Sequence, residues 1–178
     1  MPPADESDTA LCSRAAAGDH RAFGLLVARH EARVRSFLLH LAGADIADEL
    51  AQDSFVRAWR SLHRFRGEAA FSSWVCAIGW RCFLDHLRRQ KAEGRRQDAA
   101  ATLADPIAPG AFGAALDLRR LLDQLNPVER ACLILCDGHG YSHGEAADIL
   151  RMPLGTLKST VKRAKDKCRE AMRADEPD

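Results

Sequence analysis

The most distinctive chemistry in the sequence is a concentration of positive charge near its C-terminal end. From Arg151 to Arg173 there are eight lysines and arginines against two acids. Leu157 and Val161 follow a helical spacing that buries one face, and this turns a set of polar and basic side chains outward. These are Lys158, Ser159, Lys162 and Arg163. Clustered cations bind phosphates, and side chains near the start of such a helix can reach base edges in a major groove. On charge alone, a solvated basic helix face is an equally good interpretation.

The residues before this basic run have the pattern of a tight turn between two helices. Ser142 and Glu145 have the spacing of a capping box, and Ala147 is small enough for a second helix to approach. Pro153 ends the first helix and begins the second. Together these features favour a helix-turn-helix over a plain amphipathic helix. Arg151 occupies the position where such a turn usually has glycine, and a positive φ there would cost about 1 kcal/mol.

The elements that position these residues are predicted to be helices throughout. The chain has 178 residues, of which 47% are hydrophobic and 6% aromatic, with many Ala, Leu and Arg. Apolar residues at three-four spacing predict helices over residues 9–41, 46–62 and 71–91, the first divided near Gly18 and Asp19. Two more are predicted before the basic run, at residues 116–125 and after the N-cap Asn126.

A change of composition divides the chain. Residues 92–115 are rich in Ala, Gly and Pro without a sustained period, which is typical of a flexible linker. We therefore predict an all-α fold of two small helical domains, residues 1–91 and 116–178, joined by that linker. The predicted helix over residues 46–62 begins with acids and ends with arginines, which suits the helix dipole and gives the helix an acidic and a basic end.

Six cysteines are present, none in a CxxC pair, and they indicate reduced thiols in a cytoplasmic protein. The polar N-terminus and the lack of a long apolar run predict no signal peptide and no direct membrane insertion. The spacing of Cys132, Cys136, His139 and His143 permits a zinc site. The favoured interpretation is that both cysteines are small core residues, so no metal and no cofactor are expected. No nucleophile and base stand together, so no catalytic residues are predicted.

Two motifs on either side of the predicted linker carry a family resemblance. The first comprises the string from Glu49 to Trp59, the Phe-Arg-Gly of residues 65–67 and the Asp-His-Leu-Arg-Arg of residues 85–89. The second is the segment 126–165, above all the Pro-x-Gly-Thr-x-Lys-Ser run of residues 153–159. They resemble regions 2 and 4 of the extracytoplasmic-function (ECF) sigma factors of bacterial RNA polymerase. The resemblance implies a factor that binds core polymerase and directs it to promoters, while the polymerase supplies the catalysis.

The resemblance also implies three binding surfaces. In region 2, one helix face docks on the clamp helices of the largest polymerase subunit: Asp48, Glu49, Gln52, Asp53, Arg57 and Arg60. A loop and the helix after it open and recognise the minus-ten promoter element: Arg64, Phe65, Arg66, Gly67, Glu68, Ala69, Phe71, Trp80 and Arg81. Region 4 recognises the minus-35 element as a duplex and contacts the flap of the second subunit. Its minus-35 residues are Thr156, Lys158, Ser159, Lys162 and Arg163. The family implies a further partner, an anti-sigma factor, which would clamp both domains and could hold the chain near the membrane.

Some residues depart from the family pattern. Arg81 stands where relatives often have Asn, and an exposed Trp80 beside it would be unusual, so an altered minus-ten preference is expected. Relatives often have a base in place of Thr160, so one phosphate contact is expected to be missing. Phe71 fits the core as well as it fits a strand contact, and Trp74 fits the core better.

Two other functions remain open at this point. A sigma-like decoy would bind an anti-sigma factor but not support initiation, and the departures at Arg81 and Arg151 permit it. A response-regulator-type activator carries a similar helix-turn-helix, but it would need a receiver domain of alternating strands and helices. The first 91 residues show no such pattern.

Overall fold

The computed structural model of the chain describes residues 6–97 and 113–174, and every regular element in those ranges is helical. The α-helices are α1 (Asp8–Ala16), α2 (His20–Ala42), α3 (Ala44–Ser61), α4 (Phe71–Gln97), α5 (Gly113–Asp123), α6 (Pro127–Leu133), α7 (His143–Leu150) and α8 (Leu154–Ala174). This confirms the all-α prediction. The ranges that the structure describes contain no strand, so the receiver domain of a response regulator is excluded there.

Residues 6–97, called here the N-terminal unit, form a bundle of α1 to α4. The Asp19 carboxylate caps α2 by accepting hydrogen bonds from the N–H groups of Arg21 and Ala22 at 3.0 and 3.2 Å. Gly43 ends that helix with a φ of 89°. This confirms the predicted break at Gly18 and Asp19. The core lies between α2, α3 and α4 and includes fully buried Phe37 and Val75.

Residues 113–174, called here the C-terminal unit, begin two of their helices with capping boxes. Asn126 and Glu129 form the first at α6, and Ser142 and Glu145 form the second at α7, as their spacing predicted. Between them, residues Ile134–Gly138 form a short π-helix. Helix α8 packs along α6 and α7 and buries Leu157 completely.

The predicted linker is shorter than its composition indicated. Helix α4 continues to Gln97 and α5 begins at Gly113, so both ends of the predicted 92–115 linker are helical. Good helix formers such as Glu93 and Gln97 prolong α4 beyond its last apolar residue, which is where periodicity stops being informative. Residues 98–112 lie outside the described residues, and the domain boundaries remain a prediction.

The two units contact each other directly. Helix α4 packs against α7, and α2 packs against α6 and the π-helix. Tyr141, from the loop before α7, is buried in this contact, 8% exposed. None of the helices in residues 6–97 and 113–174 is long and apolar enough to cross a bilayer.

Candidate nucleic-acid and protein interfaces

The start of α8 presents a polar and basic face to solvent. All five residues predicted for minus-35 recognition are exposed there: Thr156, Lys158, Ser159, Lys162 and Arg163. We call this set the recognition face. Leu157, Val161 and Ala164 alternate with it and are buried against α6 and α7. The arrangement therefore leaves the first three turns of α8 free to enter a groove, as a recognition helix does.

The turn between α7 and α8 contains a residue that is unusual for its backbone conformation. Arg151 ends α7 in the left-handed conformation, with φ 53° and ψ 51°, and is the only non-glycine residue of positive φ in the described ranges. The N–H of Met152 donates to the carbonyl of Ala147 at 3.0 Å, which closes the turn. Position 151 therefore adopts the positive φ whose cost was considered from the sequence.

Thr160 lies beneath the recognition face rather than on it. The missing phosphate contact at this position stays a prediction, and the Thr160 side chain faces inward and is 3% exposed. Its hydroxyl accepts a hydrogen bond from the Arg163 guanidinium at 3.3 Å. Position 160 therefore steadies the recognition face from beneath rather than contributing a contact of its own.

The segment between α3 and α4 forms a largely exposed loop surface. Arg64, Arg66, Gly67, Glu68 and Ala69 are exposed, and Phe65 is half-buried. Phe65 packs on Phe71 and Trp74, with ring centroids 5.8 and 5.1 Å apart. The aromatic contacts fix the loop from one side and leave its two arginines in solvent.

Two residues predicted for the minus-ten surface belong to the core instead. Phe71 is 1% exposed. Trp80 is 5% exposed, and its ring packs at a tilt against that of Phe83, with the ring centroids 5.7 Å apart. Both lie on the face of α4 that packs into the bundle, where a large apolar ring gains most from burial. Neither ring is available to stack on a base in this conformation.

Three of the remaining minus-ten residues line one groove between the loop, α4 and α7. Arg64 and Ala69 from the loop line it together with Trp74 and Arg81 from α4, and its volume is about 450 Å³. Arg81 is exposed, as predicted. The sequence linked the loop and α4 only because both belong to one family motif. The fold places Arg64 of the loop and Arg81 of α4 on the same surface.

The six residues predicted to bind core polymerase lie along α3. Asp48, Glu49, Gln52 and Arg60 are exposed, and Asp53 and Arg57 are half-buried. Arg57 bridges Asp53 at 2.9 Å and Asp85 of α4 at 3.1 Å, which ties the surface to the bundle. The Arg35 guanidinium hydrogen-bonds Asp48 and holds the pKa of that carboxyl below its ordinary value. We call these six residues the α3 surface.

An apolar groove beside this surface was missed by sequence reasoning. It lies between α2 and α3 and has a volume of about 820 Å³. Its apolar lining residues include Phe23, Val27, Phe55, Val56 and Trp59, and Asp48 and Gln52 form part of its edge. Val56 lines this groove and is 41% exposed. A signal was present in the sequence, because Phe55, Val56 and Trp59 make the apolar stripe wider than one buried face needs.

The cysteines and histidines do not form the alternative zinc site. Across the described ranges, no three His, Cys, Asp or Glu side chains are grouped so that they could hold a metal ion. Burial raises the pKa of Cys132 to about 12 and that of Cys76 to about 11. The pKa of each of the other four thiols is also raised, mainly by burial, so the thiolate form is disfavoured throughout.

Comparison with known proteins decides the family. Residues 26–93 match the family model for Sigma-70 region 2, and residues 115–168 match that for Sigma-70 region 4. The sequence is 31% identical over 179 residues to the ECF RNA polymerase sigma factor SigC of Mycobacterium tuberculosis, covering 98% of this chain and 94% of that protein. The chain belongs to the ECF sigma factors. Its two helical units are therefore regions 2 and 4 of a sigma factor.

Solved structures give the same assignment and include both units. The sigma factor RpoE of Bartonella quintana, solved with the anti-sigma factor NepR, superposes with a TM-score of 0.74 at 26% identity. That match covers 86% of this chain and 98% of the other. CnrH, solved with the cytosolic domain of CnrY, superposes with a TM-score of 0.73 at 27% identity, over 96% of this chain and all of that one.

Proposed function

We propose that this ECF sigma factor divides its work among the three exposed surfaces described above. The α3 surface binds core RNA polymerase, the loop surface with Arg81 recognises the opened minus-ten element, and the recognition face of α8 recognises the minus-35 duplex. The observation that carries the proposal is the full exposure of the recognition face on a helix held by a closed helix-turn-helix turn.

The recognition face has the chemistry for a duplex. Lys158, Lys162 and Arg163 supply positive charge for phosphates, and Arg and Lys also donate to guanine in the major groove. Thr156 and Ser159 are short hydroxyl side chains near the helix start, where base edges are within reach. The Ser159 hydroxyl donates to the Thr156 carbonyl at 2.9 Å, which leaves its oxygen lone pairs for a base or a phosphate.

The loop surface suits a separated strand rather than a duplex. Arg64 and Arg81 are exposed cations on the loop and α4 side of a groove of about 450 Å³, whose other side is α7, and Arg66 is exposed on the same loop. Trp74, half-buried at the groove wall, offers an aromatic edge to an unpaired base. With Phe71 and Trp80 withdrawn into the core, we assign minus-ten contact to the loop and to Arg81.

The α3 surface suits a charged helical partner. It combines acids at one end, arginines at the other and the apolar groove between α2 and α3. A clamp helix with apolar and charged faces would bury apolar side chains in that groove while its charges meet the rim. The carboxylates of Asp48 and Asp53 already pair with arginines of this chain, so a partner arginine or lysine would have to share or displace them.

An anti-sigma factor is the proposed regulator. The sigma factor RpoE of Bartonella quintana, which superposes on both units of this chain, was solved in complex with the anti-sigma factor NepR. We assign no catalytic residue to the chain, because nucleotide addition belongs to the polymerase. Since its polymerase partner works there, we place the protein in the bacterial cytoplasm.

The division of labour is tested by removing charge from the recognition face alone. Lys162→Ala with Arg163→Ala should weaken minus-35 recognition by about 1–3 kcal/mol per lost contact and reduce the salt dependence of binding. Binding to core polymerase should not change. The matched control is Arg169→Ala with Arg173→Ala, which removes two exposed cations from the far end of the same helix. Equal losses in both pairs, or loss of polymerase binding in the first, would contradict the assignment.

A further inference from the structure

We infer that α1 positions the loop between α3 and α4, residues 64–70, for minus-ten recognition, and that Asp8 and His30 are its positioning residues. The inference rests on the proposed function of that loop in contacting the opened minus-ten element. It goes beyond that function because α1 lies outside residues 26–93, the part of the chain that matches Sigma-70 region 2.

Asp8 is the first residue of α1, and its carboxylate contacts two consecutive residues of α2. One oxygen lies 2.7 Å from the Nε2 atom of His30, and the other accepts a hydrogen bond from the Arg29 guanidinium at 2.5 Å. The Arg29 guanidinium also donates to the carbonyl of Glu6, just before α1, at 3.0 Å. Hydrogen bonds to a carboxylate are among the strong ones in proteins, so the start of α1 is firmly fixed to α2.

His30 connects this contact to the start of α4. Its side chain is 14% exposed, and its ring packs against that of Phe71, with the ring centroids 5.3 Å apart. Phe71 is the first residue of α4 and is fully buried. A carboxylate bonded to one imidazole nitrogen holds the ring in a single orientation. Asp8 therefore fixes the surface against which Phe71 packs.

Phe71 in turn contacts the loop. Phe65 meets it edge-on, with the ring centroids 5.8 Å apart and an angle of 87° between the ring planes. Edge-to-face pairs of aromatic rings are directional, so the position of one ring constrains that of the other. Phe65 stands between Arg64 and Arg66, the two exposed arginines of the loop. The placement of both cations therefore depends on a series of ring contacts whose far end is held by α1.

Helix α1 also supports the loop directly. It packs on the short 3₁₀-helix Leu62–Arg64, which leads into the loop. A cleft of about 180 Å³ lies between the two, and its lining includes Cys12 and Ala16 of α1 and Phe65 and Gly67 of the loop. Cys12 is 6% exposed, so its side chain is covered where the helix and the loop meet. The small side chains of Cys12 and Ala16 allow the loop to approach α1 closely.

A helix that only stabilised the bundle would have a different effect. Loss of its contacts would then weaken every part of the N-terminal unit alike, including the α3 surface. The contacts of Asp8 and His30 instead lead to Phe71 and Phe65, where the loop joins α4. We therefore expect their loss to loosen residues 64–70 and to leave the binding of core polymerase unchanged.

The test compares Asp8→Asn with Glu6→Gln in the full chain. Both changes replace a carboxylate near the start of α1 by an amide of the same size, but the Glu6 carboxylate pairs with Arg14 of α1 itself, at 2.6 Å. Hydrogen–deuterium exchange of the amides in residues 64–70 should be about 3- to 10-fold faster in Asp8→Asn, the effect of one lost hydrogen bond, and unchanged in Glu6→Gln. Exchange in α3 and α8 should not change in either variant. Unchanged exchange of the loop in Asp8→Asn, or equal acceleration throughout the N-terminal unit, would overturn the inference.

A second comparison shows whether the effect passes through His30. His30→Leu keeps an apolar side chain against Phe71 but cannot bond to Asp8, so it should also accelerate exchange of the loop. The double variant Asp8→Asn with His30→Leu should exchange no faster than the faster single variant, because both changes break the same contact. Effects that multiply in the double variant would show that Asp8 and His30 act independently, and this result would also overturn the inference.

The effect on recognition is measured with reconstituted holoenzyme on a genomic fragment that the wild type transcribes. Asp8→Asn should lower run-off transcription about 3- to 10-fold relative to Glu6→Gln, while the affinity for core polymerase stays the same. A loosened loop with unchanged transcription would show that α1 does not position the recognition residues, and would overturn the inference. Failure of the proposed function is a separate result, because the wild-type holoenzyme would then transcribe no fragment, whereas the exchange comparison can still be made.

Discussion

At the scale of single residues, Arg151 is the clearest conflict between local geometry and side-chain type. A left-handed backbone at φ 53° favours glycine, because every other residue brings Cβ close to the following carbonyl. The arginine is exposed, so its long side chain has no packing to lose. Its side chain also lines the minus-ten groove, so the arginine has a position near the proposed DNA site that is independent of its place in the turn.

Replacing Arg151 by glycine should stabilise the protein. Relief of the left-handed strain is worth about 1 kcal/mol, which corresponds to a rise in Tm of about 2–4 °C for a chain of this size. Thermal unfolding is the measurement, and Arg151→Ala is the control because it removes the side chain but keeps Cβ. A glycine variant no more stable than the alanine variant would contradict the strain argument. If the arginine also contacts a phosphate, both variants will weaken DNA binding equally.

Glu129 is a second residue with a defined role in stability. It is 4% exposed and accepts hydrogen bonds from the Lys167 ammonium at 2.8 and 2.9 Å and from the Asn126 N–H at 3.1 Å. Burial acts to raise the pKa of its carboxyl, but these donors outweigh burial and hold the pKa below the ordinary value of 4.5. The ionised carboxylate therefore stabilises the C-terminal unit above pH 4.5, and that stability is lost as pH falls through the lowered pKa.

Glu129→Gln should remove this pH dependence. The variant should be less stable at pH 7 by about 1.5–3 kcal/mol, the usual contribution of hydrogen bonds to a charged group. Its stability should also fall less steeply than that of the wild type on acidification below pH 4.5. Glu145→Gln, at the same position of the second capping box but exposed, is the control and should lose under about 1 kcal/mol. Parallel pH profiles for wild type and Glu129→Gln, followed by chemical denaturation, would disprove the account.

At the scale of elements, the sequence predicted where the helices lie better than it predicted which of their faces are buried. Capping boxes at Asn126 and Ser142 begin helices where expected, because the cap residues act through their own neighbours. Trp80 was misplaced because its exposure depends on how α4 packs on α2 and α3, which spacing along one helix does not determine. For the same reason the groove between α2 and α3 was not foreseen, although each of its walls was predicted as a helix.

The groove between α2 and α3 makes its own prediction about core polymerase. Val56→Asp places a charge in the groove, and since Val56 is 41% exposed the protein should still fold. Affinity for core polymerase should fall by roughly 10-fold or more, which corresponds to about 1.4 kcal/mol. Leu25→Asp is the matched control, because Leu25 is 40% exposed on α2 but does not line the groove. Binding by fluorescence anisotropy that weakens equally in both variants would refute a specific docking role.

At the scale of the whole molecule, the two units carry separate sequence motifs but pack directly against each other. Their order and identity were predictable, because each carries a motif of its own. Their contact was not, because Tyr141, Ser72 and Arg33 are far apart in sequence and none belongs to a recognisable pattern.

The central claim is that this chain directs core RNA polymerase to specific promoters. Run-off transcription with purified chain and core polymerase across genomic fragments tests it most directly. We expect defined transcripts from a small set of fragments, which depend on the chain and are lost with Lys162→Ala and Arg163→Ala. A chain that binds an anti-sigma factor yet starts no transcript on any fragment would contradict the claim and favour a decoy.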